Sequence, residues 1–505
     1  MSGSSTQFKV IVTVAGSYVA TVLNFVTSYV ALSVLGPQSI GLYQTFLLIK
    51  NYALYSNLGE VQSIRKQGAV LWARGEHAEV RRYQDQTLTV ALLTISVVVL
   101  TIAVVGMITL RLGGVRALSF GAILILFAIE YLQYFFGNCL AARDEFELWT
   151  RGAVLLAAAS LVSLLLILPF GYAGFLLSKV FAGIVFLVYL LRVLRYRPRL
   201  TRRITEFRTM VKTGLPMSVI GLLSTYFVTA DRLVVVHRLD TLHMGIYSIV
   251  PMIVLPLVLF VQGASTVLFT RSSHLLGTHA SVKAIVEDAA SFTRSTDRFV
   301  PHLVGVLVFF LPLVMSRLLP SYEAGTRAAQ IALLGYCFYG IASPFANLFI
   351  VLDRPQVFVA ILLVSGSVTL TLGSLGVDAG WGLTGVAVGS AAGCFSYAVS
   401  TIYFPLRWAR YGTLGALRFL VRQIRNTLAL MGLASLALLI IRASGPSAVL
   451  WSTIVAIAFT VGSAPTLAWV LRRTAQYVRR PTPEATAAGV SGGAVAPGVV
   501  GGGTC

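Results

Sequence analysis

The sequence predicts an all-α polytopic membrane protein: about 14 transmembrane helices, arranged as two pseudo-symmetric six-helix lobes plus two C-terminal helices. Three observations carry this. Apolar runs of about 20 residues, long enough to cross about 30 Å of hydrocarbon, recur from end to end of the 505-residue chain. Lysine and arginine gather in alternate connections between those runs. Short glycine motifs return at an offset of six helices. The composition agrees, with 57% of residues hydrophobic, only 11% charged and a mean hydropathy of +0.83. A transmembrane β-barrel is excluded, because its strands would alternate apolar and polar residues over about 10 positions.

The spans run roughly over 9–35, 40–63, 87–110, 117–140, 152–170, 174–194, 213–236, 245–270, 299–319, 328–350, 357–376, 382–405, 426–442 and 448–471. The first is too long for a signal-peptide core and reads as a helix. The connections expected on the cytoplasmic side hold 30 of the 39 basic residues. The connections on the other side hold only Arg111, Arg116, Arg238, Arg317, Arg327 and Arg442. That asymmetry predicts both termini inside. The outer loops are too short to hold an extracytoplasmic domain. On the inner side, 64–86 and 406–425 read as short amphipathic helices at the interface.

Gly41-Leu42-Tyr43 opens span 2 with Gly59 following, and Gly245-Ile246-Tyr247 opens span 8 with Gly263 at the same distance. Gly171-x-x-Gly174 opens span 6, and Gly382-x-x-Gly385 opens span 12. An even offset keeps the halves in the same orientation, so the repeats are parallel and a cavity is expected between them. The expected division is 1–200 for the N-terminal lobe, 201–410 for the C-terminal lobe and 411–471 for two additional helices. Residues 472–505 form a Gly-, Ala-, Pro- and Val-rich tail expected to be a disordered, cytoplasmic one.

The net charge of +21 raises nucleic acid as a partner, but the charges are spread over loops on one side and no basic soluble domain carries them. Cys139, Cys337 and Cys394 lie in apolar segments as small hydrophobes, and Cys505 shows no prenylation box. The six histidines lack metal-ligand spacing, and no Walker A motif or nucleophile elbow occurs. No cofactor and no enzyme activity are expected.

Charges inside the spans are few: Lys50, Glu60, Glu130, Lys179, Asp231 and Arg232. An ionisable side chain at the bilayer centre costs about 2.5–3.5 kcal/mol on insertion scales, so each needs a partner, water or a function. At about 1.5 Å per residue, Lys50 and Glu130 come to similar mid-depths, which favours an ion pair over a proton-coupling role for Glu130. Lys179 and Arg232 fall roughly 7 Å below the outer surface, one in each half; Lys179 is equally suited to snorkel to the outer headgroups. Asp231 is adjacent to Arg232, so the two diverge on a helix. Glu60 falls near the inner surface and is expected to be solvated. Polar stripes run along several helices: Ser17, Thr21, Asn24 and Ser28 in span 1, and Lys50, flanked by Gln44 and Asn51, in span 2. Glu130, Tyr134 and Asn138 mark span 4, and Ser218, Thr225 and Arg232 mark span 7. They suggest a water-filled lumen, against a plainer reading as helix-packing contacts. More cation than anion in such a lumen suits an anionic, phosphate-bearing substrate.

The stretch Leu35–Tyr43 (LGPQSIGLY), Gly214-Leu215-Pro216, Ala230-Asp231-Arg232 and Met244–Tyr247 (MGIY) carries a resemblance. It resembles the bacterial polysaccharide flippases, which move O-antigen and exopolysaccharide units within the multidrug/oligosaccharidyl-lipid/polysaccharide exporter superfamily. The resemblance covers about residues 8–410. It implies a flippase of the cytoplasmic membrane that moves an undecaprenyl-diphosphate-linked oligosaccharide by alternating access. Partner polymerase and glycosyltransferases would serve the same lipopolysaccharide or exopolysaccharide biosynthesis. Arg232 is the cavity residue carried over by the motif; Lys50 and Lys179 rest on depth alone, with Asn24, Gln44 and Asn51 as polar cavity candidates. The alternatives are a cation-coupled multidrug or metabolite antiporter, which would want a mainly acidic cavity, and a lipid II flippase, which would carry more arginines in the first lobe.

Overall fold

The computed structural model describes residues 3–109, 113–194, 199–278, 281–443 and 453–463, with three isolated residues beyond 450. Among these, every regular element is helical. The chain runs through α1 (Gly3–Ala53), α2 (Glu60–Ser63), a π turn at Ile64–Gly68, α3 (Ala69–Ala73), α4 (His77–Thr109), α5 (Val115–Ala142), α6 (Phe146–Ser163) and α7 (Ile167–Leu194). It continues through α8 (Phe207–Arg238), α9 (Thr241–Tyr247), α10 (Ile249–Gly277), α11 (Val282–Leu318), α12 (Thr326–Ala346) and α13 (Leu348–Val351). The last elements are α14 (Pro355–Asp378), α15 (Leu383–Trp408) and α16 (Thr413–Ala443). Nine continuous stretches among the described residues are long and apolar enough to cross a membrane.

Two of those stretches each contain two of the expected spans. In α6–α7 the break is Gly171, at φ 52° and ψ −128°. The chain folds back there, because Tyr189 donates to the Leu148 carbonyl at 3.0 Å and Ser163 to the Ser178 carbonyl at 3.2 Å. In α1 the break is Gly36, with φ 72° and Pro37 next to it. Gly16 lies against Thr150 at the start of α6, whereas Gly59 lies against Gly214 near the start of α8. Lys50 and Glu130 meet midway. The two halves of α1 therefore run in opposite directions. Left-handed backbone of this kind suits glycine, and it replaces a loop where the sequence has none to spare.

The basic connections come together at one end. There Gln86 holds the backbone of Thr205 and Glu206, Arg143 stacks on Trp72, Tyr411 donates to Glu287 and Arg354 stacks on Trp408. α8 and α14 run parallel, with Gly366 against Tyr226 and Gly373 against Val234, which brings the start of α14 to the same end. α14 and α15 form a hairpin in which Gly376 faces Gly385 and Gly373 faces Gly389. Lipid is as apolar as the side chains themselves, so close backbone approach over small residues holds such helices together.

Three structural corrections concern boundaries. α4, α11 and α16 begin well before the apolar runs that define their spans. The segments 64–86 and 406–425 are not each one helix: the first divides into the π turn, the short α3 and the first turns of α4, where Tyr83 and Gln84 are buried, and the second divides between the end of α15 and the start of α16. Ala416, Leu420 and Ile424 likewise pack, at helical spacing, on Ile285, Val286 and Ala289. Other apolar residues of the two segments, Val70 in the first and Leu414, Leu417 and Val421 in the second, stay exposed. The helix of span 2 stops at Ala53, short of the expected 63. The tail 472–505 lies outside the described residues.

Candidate functional site

The two lobes meet along a seam formed by the second half of α1 and the approach to α2 on one side, and α8–α9 on the other. At the end away from the basic loops, Gly41 and Gly245 bring the backbones into contact: a Cβ on either would overlap the facing backbone at Thr241 or Pro37. At the basic end Gly59 and Gly214 do the same. On the other side of the seam α8 runs as unbroken helix from Gly214 to Arg238, a rise of about 36 Å, so the two glycine contacts lie roughly a membrane thickness apart. Between them Tyr52 shares a hydrogen bond with Thr229 at 2.8 Å, and Ser218 donates to Asn57 Oδ1 at 2.7 Å.

Two charged groups flank this seam. In the first, Lys50 Nζ donates to both carboxylate oxygens of Glu130 at 2.5 Å. The lysine is buried and the Glu130 side chain is 35% exposed, so the pair opens on the glutamate side. Lys179, half-buried, lies within electrostatic range of both and places its ammonium 5.4 Å from the centre of the Phe175 ring. Tyr43 packs edge-on against the same ring at 4.9 Å. The depth argument thus predicts the right pair, and helices α1, α5 and α7 supply two cations to one anion.

In the second group Asp231 is buried. Its Oδ1 accepts the Arg232 backbone N–H and its Oδ2 accepts the Tyr247 hydroxyl, both at 2.8 Å. Arg232 is half-buried and makes no ion pair among the described residues, and its Nε is buried without a hydrogen-bond partner. The neighbouring carboxylate is committed to Tyr247 and backbone, which leaves the guanidinium available to an anion. Tyr52, Tyr247 and Tyr336 surround the Asp231–Arg232 step.

The remaining expected residues divide. Asn24 is exposed, and Gln44 and Asn51 are half-buried, two turns apart on α1. Among the described residues no hydrogen bond or ion pair joins these three to either charged group, and none joins Lys50 or Lys179 to Arg232. The span 7 stripe is not continuous lumen: Ser218 is buried in the seam, so packing governs that position. In span 4, Asn138 donates to its own helix at Tyr134 and Gln133 to the Gly183 carbonyl. Glu60 overturns its expectation. It is fully buried, with Oε1 accepting from the Tyr131 hydroxyl at 2.5 Å and Thr94 at 3.4 Å, while Oε2 has no partner among the described residues. A depth count along an unbroken helix places it at the surface; the break after Ala53 and the left-handed Gly59 (φ 90°) turn it inward. No group of three or more metal-ligating side chains forms among the described residues.

The sequence of residues 145–319 matches a polysaccharide biosynthesis protein family. No curated protein sequence matches the chain. Among solved structures, the lipid II flippase MurJ in an inward closed conformation is similar, with a TM-score of 0.68, 13% identity, and coverage of 92% of this chain and 99% of that one. An inward-facing multidrug resistance MATE family transporter of the MOP superfamily gives 0.59, with 14% identity over 83% of this chain and 98% of the other. The Vibrio cholerae MATE transporter VcmN in its bent form gives 0.54, with 12% identity over 84% and 99%. These likenesses are of fold. The chain thus shares the fold of these flippase and transporter structures, and residues 145–319 match a polysaccharide biosynthesis protein family in sequence.

Proposed function

We propose that this protein is a flippase that moves an undecaprenyl-diphosphate-linked oligosaccharide across the bacterial cytoplasmic membrane by alternating access, for surface polysaccharide biosynthesis. The observation that carries the reading is Arg232, a half-buried cation beside the seam whose nearest carboxylate is already committed to Tyr247. Lys179 adds a second uncompensated cation next to the Lys50–Glu130 pair. A diphosphate would find charge-assisted donors in both lobes, and the glycine contacts at the two ends give surfaces that can open in alternation. The basic end would face the cytoplasm, with both termini inside. A small-molecule antiporter on the same scaffold would need unpaired acids facing the cavity. Of the acids expected within the spans, Glu130 is partly exposed and held by Lys50, while Glu60 and Asp231 are buried.

The test is complementation. In cells deleted for the gene, Arg232→Ala and Lys179→Ala proteins that reach the membrane in normal amount should each cut surface polysaccharide by roughly tenfold or more, the scale of one lost charge-assisted contact. Full export by the double variant would overturn the cationic-cavity reading.

A further inference from the structure

We propose that the amide of Gln62, with Tyr134 and Tyr55 beside it, is a sugar-reading subsite that holds the glycan of the substrate on the basic side of the cations that take its diphosphate. The inference rests on the flippase reading and adds to it which residues tell a glycan from bare lipid.

Gln62 is 5% exposed, yet neither its Oε1 nor its Nε2 has a hydrogen-bond partner among the described residues. A buried amide left unpaired gives up its bonds to water with nothing in exchange, so it calls for a partner from outside the chain. Its polar neighbours are satisfied from within. Ser63 donates to the Glu60 carbonyl and accepts from the Tyr83 hydroxyl, and Asn138 donates to the Tyr134 carbonyl. The Tyr134 side chain stands beside the Gln62 amide, and Tyr55 lies within electrostatic range of Tyr134. Both tyrosines are half-buried, so each keeps part of its surface open. Tyr55 also reaches across the seam to Gly221 of α8, where a Cβ would overlap its ring.

These groups suit a sugar. An amide offers acceptor and donors on one planar group, which matches adjacent hydroxyls. Aromatic rings cover the apolar C–H face of a pyranose, and their phenolic hydroxyls add further bonds. A few placed polar groups among aromatic walls are the usual make-up of a small-ligand site. Arg65 of the π turn, also within electrostatic range of Tyr134, is exposed and stands at the solvent edge of the group. Position then sets the orientation of the substrate. On α5, Tyr134 is one turn nearer the basic end than Glu130, and on α8 the rise from Gly221 to Arg232 is about 16 Å. A head group held by Arg232 and by Gln62 therefore has its diphosphate away from the basic end and its glycan toward it.

The test is binding to the full chain in nanodiscs with three probes: undecaprenyl diphosphate, the same lipid carrying the oligosaccharide purified from the producing cells, and that oligosaccharide freed of lipid by mild acid. The unaltered protein should bind the glycosylated lipid at least roughly tenfold more tightly than the bare lipid. Gln62→Leu should remove most of that preference, on the scale of one or two lost hydrogen bonds, and leave affinity for the bare lipid unchanged. It should also keep or raise Tm without ligand, because it deletes an unpaired buried amide. Tyr134→Phe, which keeps the ring, should lose roughly threefold of the preference. A Gln62→Leu protein that keeps the full preference would overturn the proposal, as would an unaltered protein that binds the two lipids alike. A lowered Tm with equal loss toward both lipids would also overturn it, making the amide a structural group satisfied by water. If the bare lipid does not bind at all, the flippase reading fails, and the free oligosaccharide then tests the subsite by itself. Binding to the unaltered protein and not to Gln62→Leu would uphold the subsite, and no binding to either would overturn it too.

Discussion

The Lys50–Glu130 pair shows why a charged side chain inside a membrane protein must be judged with its neighbours. Lys50 is buried, and the pair keeps it from being an isolated charge at mid-depth. Replacing Lys50 by Ala leaves Glu130 without its donor, at a cost of about 1.5–3 kcal/mol for a hydrogen bond to a charged group, toward the lower end because the glutamate is a third exposed. The Lys50→Ala/Glu130→Ala double variant should recover most of that loss in a thermal unfolding series in detergent. Strict additivity of the two single losses would show that the pair is not coupled. This contact was legible in the sequence, since both residues sit on unbroken helix and equal distances from the helix ends translate into equal depths. Glu60 was not legible: its direction is set by the break after Ala53 and the left-handed Gly59, neither of which composition or spacing reveals. Arg232 was found through its motif, but its freedom from Asp231 depends on Tyr247, a residue 16 positions from that aspartate which only the turn between α8 and α9 brings back.

At the scale of elements, glycine does two jobs that differ in their physical demand. Gly171 and Gly382 share nearly the same backbone, φ 52° and ψ −128° against φ 53° and ψ −134°, and each begins a helix folded back on its predecessor. Gly41 and Gly245 are ordinary helix, and there the demand is absence of a side chain. Gly41→Val should therefore leave the helix intact but prop the lobes apart at the end away from the basic loops. The expected result is normal membrane insertion with transport reduced by at least roughly tenfold, on the scale of the 1–3 kcal/mol that overpacking costs; unchanged transport would show that this contact need not form. α16 is fixed differently. Asp297 of α11 accepts from Asn426 at 2.8 Å and Thr427 at 3.0 Å. Asp297→Leu leaves two polar groups unpaired, and limited proteolysis should then cut between Trp408 and Thr413 faster than in the unaltered protein. Equal rates would show that apolar packing alone holds the helix. The motif spacing made the hairpin glycines readable, whereas the Asp297 contact joins residues 129 and 130 positions apart with no sequence signal.

Across the whole molecule, the asymmetry of lysine and arginine told more than any motif, because it assigns every connection to one of two ends. The structure brings the basic connections together at one end, and single cysteines supply the side of the membrane that this end faces. Arg74→Cys in the exposed turn after α3 and Arg410→Cys in the exposed turn after α15 should react with a membrane-impermeant maleimide only after the cells are opened. Labelling of intact cells would reverse the orientation. What remained hidden at this scale was the relation between the charged groups. Depth arithmetic put Lys50, Lys179 and Arg232 in one lumen, but the folded chain divides them into two groups on either side of a closed seam. Depth is a single coordinate, and two helices at equal depth can face different neighbours.

The central claim is that cations beside the seam recognise a lipid diphosphate as it crosses. The most direct measurement is translocation in proteoliposomes of a fluorescent undecaprenyl-diphosphate oligosaccharide, followed by quenching from outside, for the unaltered protein and for Arg232→Ala. The account predicts rapid loss of protected fluorescence with the unaltered protein and roughly tenfold slower loss with the variant. Equal rates for the two, or no translocation by the unaltered protein, would contradict it.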